Sequence, residues 1–189
     1  MRLLFLLSFF MVFKLSSQFK YEREYRVSEE KVPKSAITFL EQFQLSKKIK
    51  WYGEESQEGK TFEAKFYYKS QKYSFEFDEK GKIIDVEVKR KLKSIEKEDR
   101  LNIDAKLKTL FRKYRLKKLQ IQFSGTPQNI VEELTKYLET DNYDSALFEL
   151  VVSGVKKKHR DLYELLLNSK GEVLKELKFK ELNSDNLEF

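Results

Sequence analysis

A single histidine and no cysteine bound the chemistry open to this chain. A serine or cysteine nucleophile needs a base to activate it, and the only imidazole, His159, lies in the run Lys156, Lys157, Lys158, His159, Arg160. Within such a charged run it reads as a solvated strand or turn residue. With no thiolate and no second imidazole, a metal site would have to consist of carboxylates, a donor set that suits calcium or magnesium better than zinc. The best carboxylate cluster, Asp78 and Glu79, lacks the regular spacing of a calcium loop, and turn chemistry accounts for Asp78. Among 31 acidic residues a pair at glycosidase spacing is always available, yet no two stand out. Gly81 and Gly171 are isolated turn glycines and form no phosphate cradle. The chain reads as non-enzymatic and without a cofactor.

Recognition is what remains. Lys89, Arg90, Lys91 and Lys93 form one dense basic run, and Lys156, Lys157, Lys158 and Arg160 the other. Each is a solvated strand end or an anion-facing patch, shared if the two halves of the chain pack side by side. Tyr52 and Tyr67 alternate away from the apolar side of their strands, where exposed aromatics anchor protein partners. These residues are the candidate partner-binding set.

The elements that position them are organised around residues 72–88. Tyr73, Phe75 and Phe77 point one way and Ser74, Glu76 and Asp78 the other, the pattern of a strand with one buried face. Asp78, Glu79, Lys80 and Gly81 turn the chain, and Ile84, Val86 and Val88 resume the alternation. The same phrase returns at Tyr163, Leu165, Leu167, Asn168 and on through Gly171 to Leu174. Val32 and Pro33 open a helix with its stripe at Ala36, Ile37, Leu40 and Phe43, and Ile103, Leu107, Leu110, Phe111 and Tyr114 trace another. Thr126 before Pro127 predicts an N-cap and an extra helix with Ile130, Leu134 and Leu138 on one face. In the last strand Val173, Leu177 and Phe179 fall on one face with Lys175 between them, whereas the matching strand of the first hairpin buries Ile84, Val86 and Val88; a bulge or an exposed last strand accounts for the difference.

The fold class expected is α+β: two tandem modules, each of one helix packed on an antiparallel sheet of about four strands, the second with an inserted helix. The boundaries are a signal peptide at 1–17, a flexible leader at 18–31, module 1 at 32–93, module 2 at 94–182 and a tail at 183–189. Arg2 followed by the apolar run Leu3 to Phe13, then Ser16 and Ser17, has the order of a secretory signal. The run is too short to span a bilayer, so no transmembrane anchor is expected after cleavage before Gln18. Loss of Arg2 and Lys14 lowers the formal charge of +7 by two. The remaining excess suits an anionic envelope surface, and export argues against nucleic acid as a partner.

The two hairpins, the Val32-Pro33 helix start and the following Ile49-Lys50-Trp51 resemble the PepSY-like family of secreted envelope proteins, described as similar to beta-lactamase inhibitor protein. The resemblance is closer over residues 29–92 than over 95–181. It implies a helix-on-sheet module located in the periplasm or at the cell surface, with no catalytic residues to carry over. The function expected is a secreted, non-enzymatic binding module for a peptide, a protein or an anionic envelope component. The alternative is a proteinaceous inhibitor of a secreted hydrolase.

Overall fold

The alternating runs become ten strands and three helices within residues 18–45 and 48–179, the part of the chain that the computed structural model describes. The signal peptide at 1–17 and the tail at 183–189 lie outside the described residues. In chain order the elements are β1 (Gln18–Lys20), β2 (Glu22–Arg26), α1 (Lys34–Glu41), β3 (Lys50–Ser56), β4 (Gly59–Tyr68), β5 (Gln71–Asp78) and β6 (Ile83–Lys89). They continue with α2 (Lys97–Leu110), β7 (Lys113–Ser124), α3 (Pro127–Thr140), β8 (Leu147–Lys156), β9 (His159–Leu167) and β10 (Val173–Phe179).

These strands make one sheet in the order β1-β10-β9-β8-β7-β6-β5-β4-β3-β2. Every pairing is antiparallel except β1 with β10. The two edge strands are joined through Tyr21 alone, so the twisted sheet curls until its edges are covalently continuous. The result is a nearly closed barrel.

This corrects the expectation of two helix-on-sheet modules. The strands expected to end one module and open the next, β6 and β7, pair directly from Asp85↔Ser124 to Lys89↔Gln120. A single apolar core runs from Val32 and Ala36 through Phe75 and Ile121 to Leu165 and Leu167. The physical reason is the edge: a module ending at β6 would leave a row of unpaired backbone groups, and β7 satisfies them. The expected flexible leader is likewise structured as β1, β2 and a short 3-10 turn at Glu29–Lys31.

The core lies on the outer side of the barrel, between sheet and helices. Phe39 and Phe43, around the end of α1, meet Phe77 and Phe75 with ring centroids 5.8 Å apart in both pairs. Tyr137 of α3 packs on Phe123 at 5.4 Å, and Phe111 after α2 packs on Tyr163 at 5.1 Å. Tyr114, expected in a helix, belongs to β7 and donates its hydroxyl to Asp104 of α2 at 2.5 Å. Thr126 caps α3 as expected, its hydroxyl accepting from the Asn129 amide at 3.2 Å.

The two hairpin turns have one geometry. Gly81 N–H donates to Asp78 O and Gly171 N–H to Asn168 O, both at 2.9 Å, with φ of +76° and +74°. Each turn leans on the start of a helix: Ser35 Oγ donates to Lys80 O at 2.7 Å, and Asn102 Nδ2 to Ser169 O at 2.9 Å. Each is followed by a register shift that inserts one extra residue. Ile83 therefore enters the core at 3% exposure and Ile84, expected there, is 39% exposed. The equivalent shift after Val173 leaves Leu174 51% exposed and turns Leu177 inward, which resolves the last strand in favour of a bulge.

Candidate functional site

Because the apolar side of each strand faces the helices, the alternating polar side faces the inside of the barrel. Cross-strand register stacks these residues in rows. Tyr52, Glu63, Glu76 and Asp85 make one row, and Lys65, Ser74, Glu87 and Gln122 the next. Lys118, Val151 and Glu164 continue the lining on the far wall, with Gln120 and Glu149 beside them. β2 adds Glu22 and Glu24, and β1 adds Lys20. Together they enclose a cavity of about 720 Å³, within the size range of small-ligand pockets.

Ion pairs organise the lining. Lys20 Nζ lies 2.6 Å from Glu164 and 2.7 Å from Glu22, drawing β1 to both walls of the seam. Lys118 pairs with Glu149 at 3.1 Å, and Lys65 with Glu63 at 2.8 Å and with Glu24. At the rim Lys175 of β10 meets Glu58 of the β3–β4 turn at 3.3 Å. Carboxylates still outnumber ammonium groups: among the described residues Glu54, Glu76, Asp85 and Glu87 have no lysine in ion-pair contact.

Burial raises the pKa of every one of these surplus carboxyls. Burial, reinforced by a hydrogen bond with Glu22 and by its charge, pushes Glu54 up to about 10, while Glu22 is held below its ordinary range. Burial raises Glu76 to about 7. Burial and the neighbouring acids also raise Asp85 and Glu87, which accept from Gln122 Nε2 at 2.9 Å and from Gln120. Burial would raise Glu149 too, but the Lys118 and Lys20 charges together with hydrogen bonds to Glu87 and Lys118 outweigh it and hold Glu149 down at about 2. The lining thus combines a fixed set of ion pairs with buried carboxyls whose pKa is raised.

The expected binding residues fall into different settings. Tyr52 does lie opposite the helices, but that side is the interior. Its ring lies 5.1 Å from the Arg26 guanidinium and 4.9 Å from Lys65 Nζ. Tyr67 is 68% exposed. Lys89 is half-buried on the inner face beside Gln120, its pKa lowered by burial and by Lys72 and Lys118. Arg90 points outward to Tyr137 at 2.8 Å and Asp141 at 2.7 Å, fixing the end of α3. Lys91 and Lys93 are exposed beyond β6. Lys156 pairs with Glu176 over the rings of Phe111 and Tyr163. Lys157, Lys158 and Arg160 are exposed at the β8–β9 turn. The structure therefore brings Tyr52 and Lys89 to the interior and leaves the other residues at separate places on the surface.

The interior itself was not singled out from sequence. Its signal is the recurrence of Glu, Asp, Lys and Gln at every second position of strand after strand. That pattern reads equally as a solvated face until closure is known. His159 is exposed at the β8–β9 turn, and among the described residues no group of acidic or histidine side chains is arranged to hold a metal ion. Among the described residues no helix is long and apolar enough to cross a membrane.

No protein-family model matches the chain, and no curated protein matches it in sequence. Solved structures do. A BLIP-like protein from Bacteroides fragilis superposes with a TM-score of 0.52 at 12% identity, covering 82% of this chain and 92% of that one. A DUF2874 family protein from Bacteroides ovatus gives a TM-score of 0.49 at 10% identity, covering 78% and 87%. The chain shares the fold of the BLIP-like protein.

Proposed function

We propose that this chain is an exported, non-enzymatic binding protein that receives the lysine or arginine side chain of a peptide at the charged inner face of its barrel. The observation that supports the reading is the carboxyl surplus of the lumen. A cavity walled by low-dielectric strands focuses the field of its lining, and a lining with more acids than ammonium groups favours cations. Glu54 and Glu76 hold protons that an entering cation displaces, so uptake is coupled to proton release. Ser74, the serine of the second row, donates to Glu63 and has no imidazole beside it, which favours binding over turnover. Export rests on the apolar run Leu3 to Phe13.

Calorimetry with trilysine and triglutamate peptides tests this. Trilysine is expected to bind at low salt with release of protons, more tightly at pH 8 than at pH 5, and triglutamate not at all. Glu54→Gln with Glu76→Gln mimics the protonated carboxyls, so it should preserve the fold and weaken trilysine binding at least about ten-fold. No trilysine binding at low salt would overturn the reading.

The fold shared with a BLIP-like protein favours a second reading, inhibition of a secreted hydrolase. A pull-down from an envelope fraction decides it. Stoichiometric capture of one hydrolase with loss of its activity supports inhibition, and recovery of lipid or glycan alone removes it.

A further inference from the structure

The ion pairing that organises the interior stops abruptly at one end of the sheet. β7 begins there with Lys113, Arg115 and Lys117, and the β8–β9 hairpin turns there through Lys157 and Lys158 into Arg160. Register places Lys113 and Arg160 on either side of Val155, and Arg115 and Leu162 on either side of Ser153, all on one face. Strands lie about 4.8 Å apart, so Lys113 and Arg160 flank β8 within roughly 10 Å. Lys117 is the extra residue of the bulge between Leu116 and Lys118, and Lys157 sits in the left-handed region at φ 54°. All six cations are exposed.

Among the described residues none of the six has a carboxylate within ion-pair distance. Arg160 touches only Ser153, at 3.4 Å to its carbonyl and 3.3 Å to its hydroxyl. Lys156 of the same hairpin and Lys178 of the adjacent β10 behave differently. Lys156 pairs with Glu176, and Lys178 pairs with Asp161 at 3.0 Å. The fold thus pairs cations where they border its core and leaves six like charges unpaired at one end, against their mutual repulsion. Lys89 extends the positive character along the inner face toward β6.

We infer that this basic end of the barrel docks on an anionic lipid surface. The chemistry of the patch selects among polyanions. A specific protein interface centres on desolvated aromatic or aliphatic anchors and is depleted in lysine. Here the apolar side chains on that face are Val155, which is buried, and Leu162, which is half-buried, and no exposed aromatic residue stands among the cations. Long, mobile ammonium and guanidinium groups on a projecting hairpin suit a fluid layer of phosphate headgroups, where no fixed spacing is required. Each such charge near an anionic bilayer changes partitioning by about five-fold. The proposal stands apart from the interior reading. It concerns a different end of the barrel and is compatible with any occupant of the lumen.

The test is co-sedimentation of residues 18–189, which contain every described element, with phosphatidylcholine vesicles carrying or lacking phosphatidylglycerol. Binding is expected on the phosphatidylglycerol vesicles at low salt, with loss at about 0.5 M salt and on phosphatidylcholine alone. The variant K113Q/R115Q/K157Q/R160Q should lose at least about fifty-fold in partitioning while its circular dichroism and melting temperature stay at or above those of the parent. A control with the same charge change elsewhere, K34Q/K97Q/K136Q/K170Q, should keep most of the binding. Equal loss in the control would show that net charge, not this patch, is responsible, and would overturn the proposal. So would absence of binding at low salt, or tighter binding to polyglutamate or to a DNA duplex than to the vesicles.

Discussion

Lys20 on β1 reaches Glu164 on β9 at 2.6 Å and Glu22 on β2 at 2.7 Å, so one ammonium group ties together the strands on both sides of the barrel's seam. Burial alone would lower its pKa, but the Glu164 and Glu22 charges reverse that and raise it. Lys20→Gln removes the cation and leaves both carboxylates in a partly buried place. It should destabilise the fold by about 3 kcal/mol, the scale for breaking a buried pair from one side. Adding Glu164→Gln should recover part of the loss. Denaturant melts of the two variants measure it, and an unchanged midpoint for Lys20→Gln would mean that the seam does not depend on this pair.

Stability should depend on pH in two opposite ways. Glu76 and Glu54 have folded values of about 7 and about 10, above the ordinary carboxyl range. Their contribution is complete below the unfolded value near 4.5 and is lost as pH rises through the folded ones. Glu149, at about 2, contributes fully above its unfolded value and is lost as pH falls toward 2. The melting temperature is therefore expected to peak near pH 5 and to decline toward both pH 9 and pH 3. Glu54→Gln with Glu76→Gln should flatten the alkaline side only. A thermal scan across that range checks both limbs.

Unfolding should be a single transition. Valine at Gly81 or Gly171 meets two obstacles: a positive φ, and a Cβ placed 2.2 Å from Ser35 Oγ or 2.9 Å from the Asn102 carbonyl oxygen. Each substitution should cost at least about 2 kcal/mol. Because β6 pairs with β7 inside one sheet over one core, either substitution should move the whole transition. Calorimetry that resolved two transitions, each shifted by one variant, would contradict a continuous cooperative unit.

Arg90→Ala separates fold from recognition. The guanidinium holds Tyr137 and Asp141, closing the C-terminal end of α3 against the sheet. Its removal should lower stability by about 1 to 3 kcal/mol, as for a hydrogen bond to a charged group. Vesicle binding should be unchanged, and loss of that binding without loss of stability would place Arg90 in the docking surface instead.

Local patterns in the sequence carried the elements and their apolar faces. The alternation of Tyr73, Phe75 and Phe77, the glycine turns at 81 and 171, and Thr126 before Pro127 are each dictated by backbone sterics and short-range hydrogen bonds. Those forces act within a few residues, so a few residues suffice to read them. The core placement of Ile83 rather than Ile84 was one step beyond this reach, since a bulge shifts the face without changing residue types.

What only the tertiary structure decided is closure. Pairing of β6 with β7, and of β1 and β2 with the opposite edges of the sheet, is made by backbone groups that every residue carries. Side-chain pattern therefore names no partner strand. Closure in turn sets the meaning of the charged positions. Glu54, Glu76, Asp85 and Glu87 would be ordinary solvated acids on an open sheet. Inside the barrel, burial and mutual repulsion raise the pKa of each of them. The lysines of the β8–β9 turn belong to a run visible in the sequence. Only the register adds Lys113 and Arg115 to them from forty residues away, because strand neighbours are chosen by the fold and not by distance along the chain.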